Sequence, residues 1–134
     1  MRWFTAGEVD GLDPAFVARL DEARTRAGVP FRITSGYRPG DDKAHGLRVA
    51  VDIAAEDSRT RFHVVRGLLE MGFERIGVYD RHVHVDEGDR VVPAQFPQMV
   101  MWWGTSKSSL KKEAPAPQPA PMPKVVRAPK VRKA

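Results

Sequence analysis

The sequence predicts an α+β domain in which helices back an antiparallel sheet, and three observations lead there. Two runs repeat apolar residues at helical spacing between an acidic start and a glycine stop. Four short runs alternate apolar with polar residues, as half-buried strands do. Clusters of Gly, Pro and Asp punctuate them.

In chain order, Asp13 followed by Pro14 reads as an N-cap and a first helical position. Phe16, Val17, Leu20 and Ala23 then recur at helical spacing, and Gly28 closes an amphipathic helix of about four turns. "VPFRITSGY" alternates before the turn "RPGDD", which predicts a strand over residues 31–35. "RVAVDIA" predicts a second strand, with Val49, Val51 and Ile53 on one face and Ala50 and Asp52 on the other. Asp57 or Ser58 caps a second helix whose apolar positions are Phe62, Val65, Leu68, Leu69 and Met71, and Gly72 ends it. "FERIGVYD" and "HVHVDEG" read as two further strands joined near Asp80 and Arg81. Trp102 and Trp103, with Trp3 and Phe4, are expected to pack the terminal segments onto the body.

With 134 residues, the chain accommodates one domain and an appendage. It has no cysteine, which excludes disulfides and thiolate metal sites. No apolar run approaches the ~20 residues of a membrane span, and "MRWFTAGEVDG" lacks a signal-peptide pattern. The expectation is a soluble monomer made in the cytoplasm. The net charge of +5 is unevenly placed: residues 107–134 hold eight Lys/Arg against one acid, net +7, leaving residues 1–106 with fourteen bases and sixteen acids, net −2. Residues 1–106 are thus expected to form the domain, and the Pro/Ala/Lys-rich residues 107–134 a disordered basic arm able to attract polyanions such as nucleic acid or cell-wall polymers.

Chemistry concentrates in two stretches, "HGLRVAVDIA" from His45 and "HVHVD" from His82. Alternation in the second puts His82, His84 and Asp86 on one face and Val83 and Val85 on the core face. Imidazoles and a carboxylate converging from two strands suit a zinc ion, and three protein ligands would leave a fourth position open, as in catalytic sites. The competing reading is a set of polar residues on the wet face of a sheet. His63, in the second helix, reads as a surface or boundary residue.

The ordered set "SGYR", a His and "AVDI" at a seven-residue His-to-Asp step, "GF.RIGVY" and "HVD" resembles the zinc D-Ala-D-Ala carboxypeptidase and L-alanyl-D-glutamate endopeptidase family, whose fold is shared with the Hedgehog signalling domain. "FTAGEVDG", "LDEARTRAGVPFRITSGYR" and "VMWWG" are similar to small phage-borne members, and the resemblance spans residues 1–105. It implies a Hedgehog/DD-peptidase-like fold, zinc held by His45, Asp52 and His84, and a substrate carboxylate bound by Arg38 with Ser35 and Tyr37. It further implies hydrolysis of peptidoglycan stem peptides, in phage lysis or cell-wall remodelling, after release from the cytoplasm or as a virion component. His82 would steady the transition state and Asp80 would serve as general base, with Asp86 orienting a ligand.

The sequence departs from the family pattern at three places. Lys43 stands where Ser is usual, Arg48 where Gly is usual with a glycine instead at Gly46, and Arg81 where an acid often precedes the last ligand by three residues. Two other classes of function stay open. One is a metal-binding module of this fold without hydrolysis, for which Arg81 argues; the other is an envelope- or nucleic-acid-binding protein acting through its arm.

Overall fold

The computed structural model describes residues 1–105; the expected basic arm lies outside the described residues. The architecture is α+β, with a five-stranded mixed sheet ordered β1-β2-β4-β3-β5. The elements are α1 (Pro14–Ala27), β1 (Ile33–Ser35), a 3-10 turn (Ala44–Leu47), β2 (Ala50–Ala54), α2 (Ser58–Glu70), β3 (Arg75–Tyr79), β4 (His82–Asp86), α3 (Gly88–Val91) and β5 (Val100–Gly104). No helix among them is long and apolar enough to cross a membrane.

The helix ends follow local rules. The Asp13 side chain accepts from the Phe16 amide, Pro14 occupies the first turn, and Gly28 ends α1 in the left-handed region. The Asp57 carboxylate does the same for α2, accepting from the Thr60 amide at 2.7 Å. Asp57, rather than Ser58, is therefore the cap.

The helices α1 and α2 lie on one face of the sheet over the larger of two buried apolar clusters, the smaller being Ala44, Ala50 and Phe96. Phe16, Leu20 and Leu68 are fully buried with Val51, Ile53, Val83 and Val85 from the central strands. Each such side chain contributes about 1.5–3 kcal/mol through burial. The face of α2 that packs inward carries Val64, Gly67 and Leu68, with Val65 and Met71 partly buried against the same core; of the expected apolar positions, Phe62 and Leu69 are instead exposed. Gly67 sits against Ala23 and Ala27 of α1. The helices meet so closely there that small residues are needed, which turns the bulky Phe62 and Leu69 outward.

The expected all-antiparallel sheet also needs correction. β1, β2, β4 and β3 are antiparallel in that order, but "VMWWG" forms a fifth strand parallel to β3. The chain leaves β4, passes through α3 and the loop after it, and returns beyond β3. A crossover of that length lets a strand pair in parallel. The first strand is shorter than expected, beginning at Ile33, with an irregular register between Ile33 and Ser35 opposite β2.

Candidate metal centre

The face of the central strands opposite α1 and α2 carries the polar cluster. In β4, Val83 and Val85 enter the core while His82 and His84 face the other way, as their alternation requires. β2 pairs with β4 so that Asp52 stands opposite His84. His45 arrives from outside the sheet on the 3-10 turn. Gly46 permits that approach, because a Cβ there would lie 1.8 Å from the Asp41 carbonyl oxygen. The chain then turns through Arg48 at φ 68°, ψ 18°, a left-handed conformation ordinarily left to glycine. Arg48 is held there by donating to the Gly11 carbonyl and the Tyr37 hydroxyl, with its guanidinium 4.1 Å from the Tyr37 ring.

His45, Asp52 and His84 come together with one ligand atom each, all within 4.8 Å, and can hold a metal ion. His84 Nδ1 lies 3.0 Å and His45 Nε2 3.5 Å from the same Asp52 oxygen. The outward nitrogens are occupied. His45 Nδ1–H donates to the Gly36 carbonyl at 2.7 Å, and His84 Nε2–H donates to Asp86 Oδ2 at 2.7 Å. A carbonyl and a carboxylate only accept, so these contacts set which nitrogen carries the proton and leave the inward lone pairs available for an ion.

Behind the cluster, Asp86 is 1% exposed and ties three groups together. Its Oδ1 accepts from Arg75 Nε at 2.7 Å and from the Gly88 amide at 2.8 Å. Arg75 is itself buried, donates to the Pro97 carbonyl, and lies between the Phe96 and Trp102 rings. Asp86 thus makes the strand-end hydrogen bond to His84 that the sequence suggested.

The electrostatics follow from these contacts. Burial would raise the Asp52 carboxyl, but hydrogen bonds from His45 and His84 and their charge outweigh it and hold its pKa well below the usual carboxylate range. Burial pushes His84 down, yet its hydrogen bonds to Asp52 and Asp86 prevail and raise it above the usual imidazole value. His82 has no such partner strength; burial dominates and lowers it.

The cluster opens into a cleft of about 940 Å³, within the size range of small-ligand sites. Arg38, Lys43, His82 and Tyr79 line it, as do Gln95, Phe96 and Trp102. Tyr79 stacks on His82 with ring centroids 4.3 Å apart, and its hydroxyl accepts from Trp102 Nε1 at 3.0 Å. Of the expected substrate contacts, Arg38 reaches the cleft but donates to Asp52 Oδ2 and to Ser35 Oγ, so Ser35 supports Arg38. Tyr37 is turned towards Arg48 and Gly11, and Asp80 is exposed on the β3–β4 turn; neither lines the cleft. Asp80 still acts on His82 through its charge.

Trp102, expected to pack the terminal segment onto the body, does so against Gly77 and is also a wall of the site, 5.6 Å from the His84 ring. Trp103, its neighbour, is 80% exposed. The sequence signal was Gly77 in "RIGVY": it pairs with His84 on one side and Trp102 on the other, and a Cβ there would lie 2.6 Å from the indole. His63 is a boundary residue, 3.4 Å from Arg66 and remote from the cleft lining.

No family model, curated protein or solved structure matches this chain.

Proposed function

We propose that the chain is a zinc-dependent peptidase acting on peptidoglycan stem peptides, of the D-Ala-D-Ala carboxypeptidase or L-Ala-D-Glu endopeptidase type, with a Hedgehog/DD-peptidase-like fold. The observation that carries this reading is the trio His45, Asp52 and His84 at the floor of an open cleft. A tetrahedral zinc ion with ligands at ~2.0–2.1 Å has ligand–ligand edges of about 3.3 Å, and the 3.0 and 3.5 Å separations at Asp52 bracket that figure. When bound, zinc supplies Lewis-acid polarisation of a peptide carbonyl and a nucleophilic water at neutral pH.

The chain's own residues supply the rest. Asp86 and the Gly36 carbonyl hold the two imidazoles in the ligating tautomer, and Arg38 steadies Asp52. His82, kept neutral near pH 7 by its lowered pKa, faces the cleft as a group able to accept or donate a proton, with Asp80 beside it to favour its charged form. Trp102, Tyr79 and Phe96 give the substrate an apolar wall that excludes water.

A second reading, a metal-binding module without hydrolysis, is favoured by one observation: among the described residues, each carboxylate lining the cleft is already engaged. Asp52 is a ligand, Asp86 holds Arg75 and His84, and Asp41 holds the Lys43 amide and faces Arg38. Incubating the zinc-loaded protein with purified stem peptides and weighing the products separates the two. Fragments cut at D-Ala-D-Ala or L-Ala-D-Glu are expected, and intact peptides beside a stoichiometric zinc content would establish the second reading.

A further inference from the structure

Among the described residues, three cationic side chains line the cleft: Arg38, Lys43 and Arg75. Arg75 is buried and committed to Asp86 and the Pro97 carbonyl. Arg38 is partly exposed, but each of its nitrogens already faces a partner. Nε donates to Ser35 Oγ at 2.9 Å, Nη2 to Asp52 Oδ2 at 3.2 Å, and Nη1 lies 3.5 Å from Asp41 Oδ2. An anion approaching this guanidinium meets two carboxylates that already offset its charge.

Lys43 differs from both. It is exposed, it stands at the N-cap of the 3-10 turn that delivers His45, and its main-chain amide is fixed by Asp41 Oδ1 at 2.6 Å. No ion pair or hydrogen bond engages its ammonium group among the described residues. The backbone is thus anchored beside a ligand while the charge stays available.

We infer that Lys43, not Arg38, is the specificity-determining cation that receives the substrate's carboxylate, Arg38 acting instead to position Asp52. The inference rests on the peptidase reading above and concerns the free α-carboxylate on the residue after the scissile amide. The two candidate bonds share that chemistry. In D-Ala-D-Ala it is the chain terminus; in L-Ala-D-Glu it is the D-Glu α-carboxyl, left free when the stem continues through the γ-carboxyl. An ammonium on a flexible stem suits such a point contact at a wet cleft mouth, whereas the planar guanidinium suits a fixed fork of partners.

The test uses the zinc-loaded full chain and its Lys43→Met and Arg38→Met variants, with zinc content measured for each. Four probes are titrated: N-acetyl-D-Ala-D-Ala, its C-terminal amide, and L-Ala-γ-D-Glu peptides with the α-carboxyl free or amidated. Kd is read, or KM where a peptide is cut. The wild type is expected to prefer the acid over the amide in one pair by about tenfold, and that pair identifies the bond. Lys43→Met is expected to retain zinc and bind acid and amide alike, while Arg38→Met keeps the preference but loses zinc affinity. If Lys43→Met keeps the preference, or Arg38→Met abolishes it with zinc in place, the assignment to Lys43 is overturned and the peptidase reading stands. A zinc-loaded wild type that binds none of the four probes overturns both.

Discussion

Replacing Asp86 with Asn perturbs the proposed centre without touching a ligand. The side chain is 1% exposed, so the substitution preserves volume and changes only hydrogen-bond character. Asp86 accepts on both oxygens: Oδ1 from Arg75 and the Gly88 amide, Oδ2 from His84. An amide has one acceptor oxygen. Kept at Arg75, where a buried guanidinium otherwise loses its partner, that oxygen leaves the NH2 pointing at His84 Nε2. The imidazole must then accept there and carry its proton on Nδ1, the atom 3.0 Å from Asp52 that an ion needs bare. Loss of such an orienting partner typically costs about 10–100-fold in metal affinity, or ~1.4–2.7 kcal/mol. Asp86→Ala is harsher, since breaking a buried ion pair on one side costs about 3–5 kcal/mol and threatens the fold. Zinc Kd is measured by competition with a chromophoric chelator, with thermal melts to establish that the Asn variant is folded. A folded Asp86→Asn protein whose zinc Kd stays within about twofold of wild type would refute the tautomer argument.

The proposed ligands and the backbone lead to further expectations. His84→Ala is expected to lose the stoichiometric zinc that the wild type retains, as measured by elemental analysis. In the metal-free protein, the raised pKa of His84 gives stability that is complete below the usual imidazole value of 6.5 and lost as pH rises through the higher folded value. Zinc must displace that proton, so zinc affinity is expected to increase over the same rise in pH; melting and zinc titrations at stepped pH check both signs. Arg48→Gly and Arg48→Ala both forgo the contacts to Gly11 and Tyr37, but only Gly relieves the left-handed backbone at φ 68°. The Gly variant is expected to be about 1 kcal/mol more stable than the Ala variant, roughly 4–8 °C in Tm by calorimetry. Equal melting temperatures would show that the position is not strained.

What could be read from the chain alone was what short-range physics dictates. Asp13 and Asp57 cap helices because each carboxylate satisfies an amide three residues on, and HVHVD splits its faces because successive strand side chains oppose. The candidate trio was legible through motif resemblance, while its convergence depends on long-range pairing. Asp52 meets His84 through the β2–β4 register, and His45 joins them only because Gly46 lets the 3-10 turn cross the Asp41 backbone. Tertiary packing also overrode local pattern. Apolar size nominated Phe62 and Leu69 for the core, but the close contact of α1 and α2 at Gly67 selected the small-residue face. "VMWWG" looked like a terminal packing segment, because a parallel strand has no local mark; its partner β3 lies more than twenty residues earlier, across a crossover. Trp102 entered the site through that pairing, over the space that Gly77 leaves beside His84. Caps and strand faces were set by neighbours within four residues, and the sequence by itself determined them. Which side chains share a cleft was set by contacts between distant segments, and only the folded sheet decided it.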